Sequence, residues 1–154
     1  MPKIKDLVYV TLQFSLILGY FFIPRFLAFE LPNYIQIFAL ILSIFGLFII
    51  VLALIQLNKN LTPFPSPKAN AVLIKEGLYR YVRHPIYTGI IFFVFFYALH
   101  THHLPRLFLA LLLYGLFSFK SIYEEAMLIN KFAEYKNYQK HTGRFFPRLK
   151  ALSP

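Results

Sequence analysis

Four apolar runs organise this chain. The first extends from Leu7 to Ile23 and stops at Pro24. The second, Tyr34 to Leu57, contains 24 residues without a charge. At 1.5 Å per residue such a helix reaches ~36 Å, enough to cross a ~30 Å hydrocarbon core with some tilt. The third runs from about Pro85 to Leu99 and the fourth from about Pro105 to Ile122. Pro85 and Pro105 suit the first turn of a helix, where a missing N–H costs nothing. The third run is short enough to be re-entrant rather than spanning. The link His100-Thr-His-His-Leu-Pro105 makes the third and fourth runs a helical hairpin in either case.

Composition strengthens this reading. Apolar residues make up 58% of the 154, including 19 Phe, and charged residues only 14%. Soluble domains carry about 45–50% and about 25%, and one of this size has no interior able to hide so many apolar groups. The expected fold is all-α: a polytopic membrane bundle of about four transmembrane helices. The lysines ahead of the first run resemble the start of a signal peptide, but no small-residue cleavage site follows at Leu18–Phe22, so the segment is read as a retained span.

Charge then orients the bundle. The net charge of +10 sits beside the apolar runs rather than over a soluble surface, which argues against nucleic acid as partner and for membrane lipid. The N-terminus, the link 58–84 and the tail from Lys120 onward hold 14 Lys and Arg; the other two links hold only Arg25 and Arg106. Positive-inside places both termini and the long link in the cytoplasm. The even number of crossings, reached independently from hydropathy, agrees.

Two segments lie outside the spans. Asn58–Ala71 contains Pro63, Pro65 and Pro67, which preclude regular helix; it is either a flexible linker or a stiff, extended cover over a site. From Glu124 to about His141, apolar and charged residues alternate as in an amphipathic helix lying along the inner membrane surface. There is no internal repeat.

The chemistry concentrates in Gly77-Leu-Tyr-Arg-Tyr-Val-Arg-His-Pro-Ile-Tyr-Thr-Gly89. Arg80 and Arg83 beside a helix N-terminus suit an anion such as a carboxylate or phosphate. The same residues also read as a positive-inside flank with interfacial tyrosines. Glu124 and Glu125 follow the fourth run. Adjacent helical carboxylates point about 100° apart, so one can face the bundle and the other water. A carboxylate at membrane depth is a functional candidate, whereas spacing alone favours a solvated helix start. Arg144-Phe-Phe-Pro147 by itself reads as a lipid-facing basic residue. His100, His102 and His103 sit in a short link without a carboxylate, which favours a wetted turn over a metal site. With no Cys there are no thiolate sites, and no phosphate loop, Gly-x-Gly-x-x-Gly or nucleophile elbow is present.

Taken in order, Gly77-x-Tyr79-x-x-x-Arg83-His84-Pro85-x-Tyr87-x-Gly89, Glu124-Glu125, Phe132-x-x-Tyr135-x-x-Tyr138 and Arg144-Phe-x-Pro147 resemble the isoprenylcysteine carboxyl methyltransferase family, within the wider membrane methyltransferase group that includes phospholipid N-methyltransferases. The likeness covers about Asn58 to Arg148. It implies an S-adenosylmethionine cofactor held by Tyr79, Arg83, His84, Pro85, Tyr87 and Gly89, with Glu124 and Glu125 ordering the same site. It implies Arg83, Glu125 and Arg144 as the catalytic set, and a lipophilic acceptor with a carboxylate or amine head. One domain over 1–154 follows, with two spans in 1–57 and the cofactor-binding region in 58–150. The alternatives are an NADPH-dependent reductase of the membrane sterol type and a non-enzymatic lipid-binding protein.

Overall fold

A computed structural model describes residues 3–60 and 62–148, without the Lys59 side chain; Lys150, counted with the basic tail, lies outside the described residues. Five α-helices form: α1 (Ile4–Phe22), α2 (Asn33–Leu57), α3 (Pro85–His100), α4 (Leu104–Lys131) and α5 (Tyr135–His141). The described residues contain no strand, only two isolated bridges. α1, α2 and α4 are long and apolar enough to cross a membrane. α3 has 16 residues and reaches only ~24 Å, so the third apolar run falls short of a full span by length. Pro85 opens α3 and Pro105 lies in the first turn of α4, as expected.

In space α3 lies between α2 and α4, and α1 packs against α4 and touches α3 through Tyr20 and Phe21. The buried face of α2 is built wholly from small residues, Ala39, Ser43, Gly46 and Ala53, the composition that lets membrane helices approach closely. A Cβ on Gly46 would lie 2.6 Å from the Phe93 nitrogen, and one on Gly89 would lie 2.7 Å from the Gly46 carbonyl oxygen. These two glycines are therefore the contact point of α2 and α3. The core beyond them joins Tyr20, Val94, Ala98, Ala110, Leu113 and Phe117. There the Tyr20 hydroxyl donates to the Val94 carbonyl at 2.6 Å. Large apolar side chains elsewhere on α1, α2 and α4 face outward, as a lipid solvent requires.

The links share ends as the charge pattern implies. Ala28 bridges His103, and the Leu104 nitrogen donates to the Leu27 carbonyl, so both basic-poor links meet at one end of the bundle. His103 is not a wetted turn residue: it is buried and caps α4 by accepting from the Arg106 nitrogen.

The expected single amphipathic helix over 124–141 is corrected. Glu124 and Glu125 belong to α4, which continues to Lys131, and the chain breaks over 132–134 before α5. The break redirects α5 so that Tyr135 and Tyr138 turn inward and become buried. A continuous helix would have carried them on along the α4 axis.

Candidate active site

The motif cluster is assembled from three distant parts of the chain. A 3-10 turn, Gly77–Arg80, delivers the backbone to Arg83 and His84 at the mouth of α3. The tail returns beside it: Val82 pairs with Gly143, the Arg83 nitrogen donates to the Gly143 carbonyl at 2.8 Å, and the His84 nitrogen donates to that of Arg144 at 3.2 Å. Thr88, one turn into α3, donates to the Phe145 carbonyl at 2.9 Å. The tail segment is thus stitched to the α3 mouth rather than lying on lipid, which corrects the lipid-facing reading of Arg144.

Glu125 sits at the centre. It accepts from Arg83 Nε at 2.8 Å and Gln139 Nε2 at 2.8 Å, lies 3.1 Å from His84 Nε2, and approaches the Arg144 guanidinium at 3.5 Å. The Arg83 and Glu125 side chains are 4% and 3% exposed. Arg83 also donates to the carbonyls of Gln139 and Thr142, both supplied where α5 ends. A buried ion pair persists when further hydrogen bonds satisfy its remaining donors and lone pairs, and here α5 and the tail provide them.

Glu124 is not a solvated helix start either. It accepts from the Tyr87 hydroxyl at 3.0 Å and lies 3.8 Å from His84 Nδ1. His84 therefore stands between the two carboxylates, with one ring nitrogen toward each. Its ring stacks on Tyr87 (5.4 Å between centroids), and Tyr87 stacks on Phe117 (4.6 Å). Tyr79 and Tyr138 are linked by a bond from the Tyr138 hydroxyl to the Tyr79 carbonyl. Burial is the main cause that pushes the phenols of Tyr79, Tyr135 and Tyr138 well above their ordinary range, so they remain protonated through neutral pH.

Two open clefts meet at this cluster. One, about 670 Å³ out to its mouth, lies beneath the proline segment and is bordered by Phe64, Pro65, Leu73, Ile74, Leu128 and Tyr135. The segment is therefore a cover, fastened where Ser66 donates to Asp6 at 2.5 Å and where Lys131 donates to the carbonyls of Lys68 and Ala69. The other cleft, about 860 Å³, runs between the helices past Gln13, Leu54, Ile86, Tyr87, Ile90 and Lys120. Tyr79, Arg83, His84 and Glu124 line both.

Of the residues singled out from the motif, Tyr79, Arg83, His84, Glu124, Glu125 and Arg144 come together, and Pro85 and Tyr87 line the cleft between the helices. Gly89 borders neither cleft; it faces Gly46 and Ile50 at the crossing with α2. Sequence reasoning missed Gln139, Thr142 and Lys120. Lys120 was counted with the basic tail, yet it is buried within α4; a lysine flanked by Phe119, Ser121 and Ile122 carried the signal of an intramembrane cation. The other two act through backbone carbonyls or a common side chain and leave no pattern.

Comparison with known proteins places the chain among relatives. The chain is 32% identical over 105 residues to the Protein-S-isoprenylcysteine O-methyltransferase of Schizosaccharomyces pombe. The match covers 63% of this chain and 43% of that protein, so it spans less than half of the relative's length. The family of phospholipid methyltransferases matches residues 34–135, from the start of α2 through α3 and α4 to Tyr135. With a match over well more than half of its length, the chain belongs to the phospholipid methyltransferase family.

Proposed function

We propose that the protein is an integral membrane methyltransferase that uses S-adenosylmethionine to methylate a lipophilic acceptor, in the manner of isoprenylcysteine carboxyl O-methylation. Family membership supports the reaction class. The observation that carries the reading is the junction of two clefts at one buried charged cluster, because a transfer reaction needs two ligands to meet. The donor set fits the cofactor. Apolar Leu73, Ile74 and Leu128 suit a purine, Glu124 suits a cationic centre, and Arg144 Nε, behind the clefts and beside Glu125, is a buried donor without a hydrogen-bond partner among the described residues, suited to a carboxylate. When bound, S-adenosylmethionine supplies an electrophilic methyl group on a cationic sulfur.

The residues of the chain then position and desolvate. Arg83, Glu125 and Gln139 form a hydrogen-bonded floor, and the cover and α5 shield it from one side. A carboxylate acceptor is already ionised at neutral pH and needs no base. Nucleophile and electrophile carry opposite charges that vanish as the bond forms, so a dry, pre-aligned site lowers the barrier. For an amine acceptor, His84 or Glu124 would take the proton. The catalytic region is 58–150, at the cytoplasmic face, with both termini on that side.

Two measurements test this. Calorimetry in detergent should show S-adenosylhomocysteine binding and no NADPH binding. Transfer of tritiated methyl into a membrane lipid extract and a panel of prenylated thiols should identify the acceptor. Affinity for NADPH instead would favour a reductase, and affinity for neither at millimolar concentration a non-enzymatic lipid-binding protein.

A further inference from the structure

Among the described residues Lys120 forms no ion pair; Glu124 and Asp6 act on its charge only from a distance. Its side chain is 1% exposed, and its ammonium donates only to neutral oxygens, Gln13 Oε1 at 2.6 Å and the Pro63 carbonyl at 3.1 Å. It also lies 5.3 Å over the Tyr87 ring. Among the described residues no carboxylate pairs with it. Glu124, one helical turn further along α4, is engaged by Tyr87 and His84 instead. Burying an ammonium without a counter-ion is costly, and within a membrane-embedded helix such a group marks a ligand path more often than a packing device.

Its placement divides the site by charge. Glu124 borders both clefts, whereas Lys120 borders only the cleft between the helices, where Leu54, Leu57, Ile86 and Ile90 supply apolar wall beside Arg83 and His84. A cation-binding group thus stands at the junction and an anion-binding group stands inside an apolar channel. Resting on the methyltransferase reading, we propose that Lys120, oriented by Gln13, holds the carboxylate head of the lipophilic acceptor in this channel and selects it over neutral and amine-headed lipophiles. An incoming carboxylate supplies the missing negative charge while the channel takes its hydrocarbon. An ammonium head meets like charge at Lys120, and the carboxylate at the junction, Glu124, is already engaged by Tyr87 and His84. The Pro63 contact ties Lys120 to the cover.

The test is equilibrium binding of S-farnesylthiopropionate, its primary amide and its amine analogue to the full-length protein in neutral detergent, alongside S-adenosylhomocysteine. The unaltered protein should bind the carboxylate about ten- to a hundredfold more tightly than the amide, the range expected for a charge-assisted hydrogen bond, and bind the amine most weakly. Lys120→Met should erase the carboxylate preference and leave S-adenosylhomocysteine affinity unchanged. Gln13→Glu, which presents a competing carboxylate to Lys120, should erase it too and serves if Lys120→Met does not fold. Lys120→Arg should retain it. A carboxylate preference that survives in Lys120→Met or Gln13→Glu, or that is missing from the unaltered protein, overturns the proposal. Loss of S-adenosylhomocysteine binding in the unaltered protein would instead strike the methyltransferase reading and leave the anion preference to be judged by itself.

Discussion

Replacing Glu125 by Gln probes the centre of the site directly. The substitution keeps the shape and one carbonyl acceptor but removes the charge that faces Arg83 Nε at 2.8 Å, His84 Nε2 at 3.1 Å and Arg144 at 3.5 Å. Both members of the main pair are almost wholly buried, so little water is available to replace the lost charge. Breaking such a pair by removing one partner costs roughly 3–5 kcal/mol, because the remaining charge stays buried. The exposed pair Lys75–Glu134, shorter still at 2.6 Å but with side chains 44% and 57% exposed, is the internal control; Glu134→Gln should cost about 0–1 kcal/mol. Unfolding in mixed micelles, followed by tyrosine fluorescence, measures both. The double change Arg83→Met with Glu125→Leu should recover most of the stability, since well-packed apolar groups often match a buried pair, while S-adenosylhomocysteine binding stays lost. If Glu125→Gln proves no more destabilising than Glu134→Gln, the cluster is open to water and the argument from burial is refuted.

Further outcomes follow from other parts of the fold. Gly46→Val should push α2 off α3 and abolish folded protein on size-exclusion in detergent, because its Cβ would meet the Phe93 backbone at 2.6 Å; Gly115→Ala, with nothing within 4 Å, should behave as the parent. Ser66→Ala removes the bond that fastens the cover to Asp6, worth roughly 1.5–3 kcal/mol to a charged acceptor, so tryptic cleavage after Lys68 should accelerate about tenfold or more; an unchanged rate would mean that Ser66 does not hold the cover. The chain has no Cys, so Glu30→Cys and Lys140→Cys report topology cleanly. An impermeant maleimide should label Lys140→Cys only from the cytoplasmic side and Glu30→Cys only from the other, and labelling of both from one side would contradict the four-segment arrangement.

Much of this molecule was legible in one dimension. The apolar runs named all four long helices to within a few residues at their starts, because a lipid solvent leaves a backbone no alternative to helix once the side chains are apolar. Three prolines in five positions precluded regular helix and left open whether the segment was linker or cover, and Arg83-His84-Pro85 announced a helix mouth rich in charge. What the pattern missed was convergence. Helical spacing sets Glu124 and Glu125 about 100° apart, yet both reach His84 because α3 arrives between them and presents a ring nitrogen to each. Neither the break at 132–134 nor the inward turn of Tyr135 and Tyr138 is marked by Pro or Gly; burial against Arg83 and Tyr79 decides it. Lys120 passed for a flank until α1 and the cover closed over it. Local periodicity records only which neighbours within a turn share a face. Pairing across 40 to 100 residues depends on how helices cross, and those crossings are set by small residues such as Gly46 and Gly89, whose significance exists only in the presence of the helix they touch.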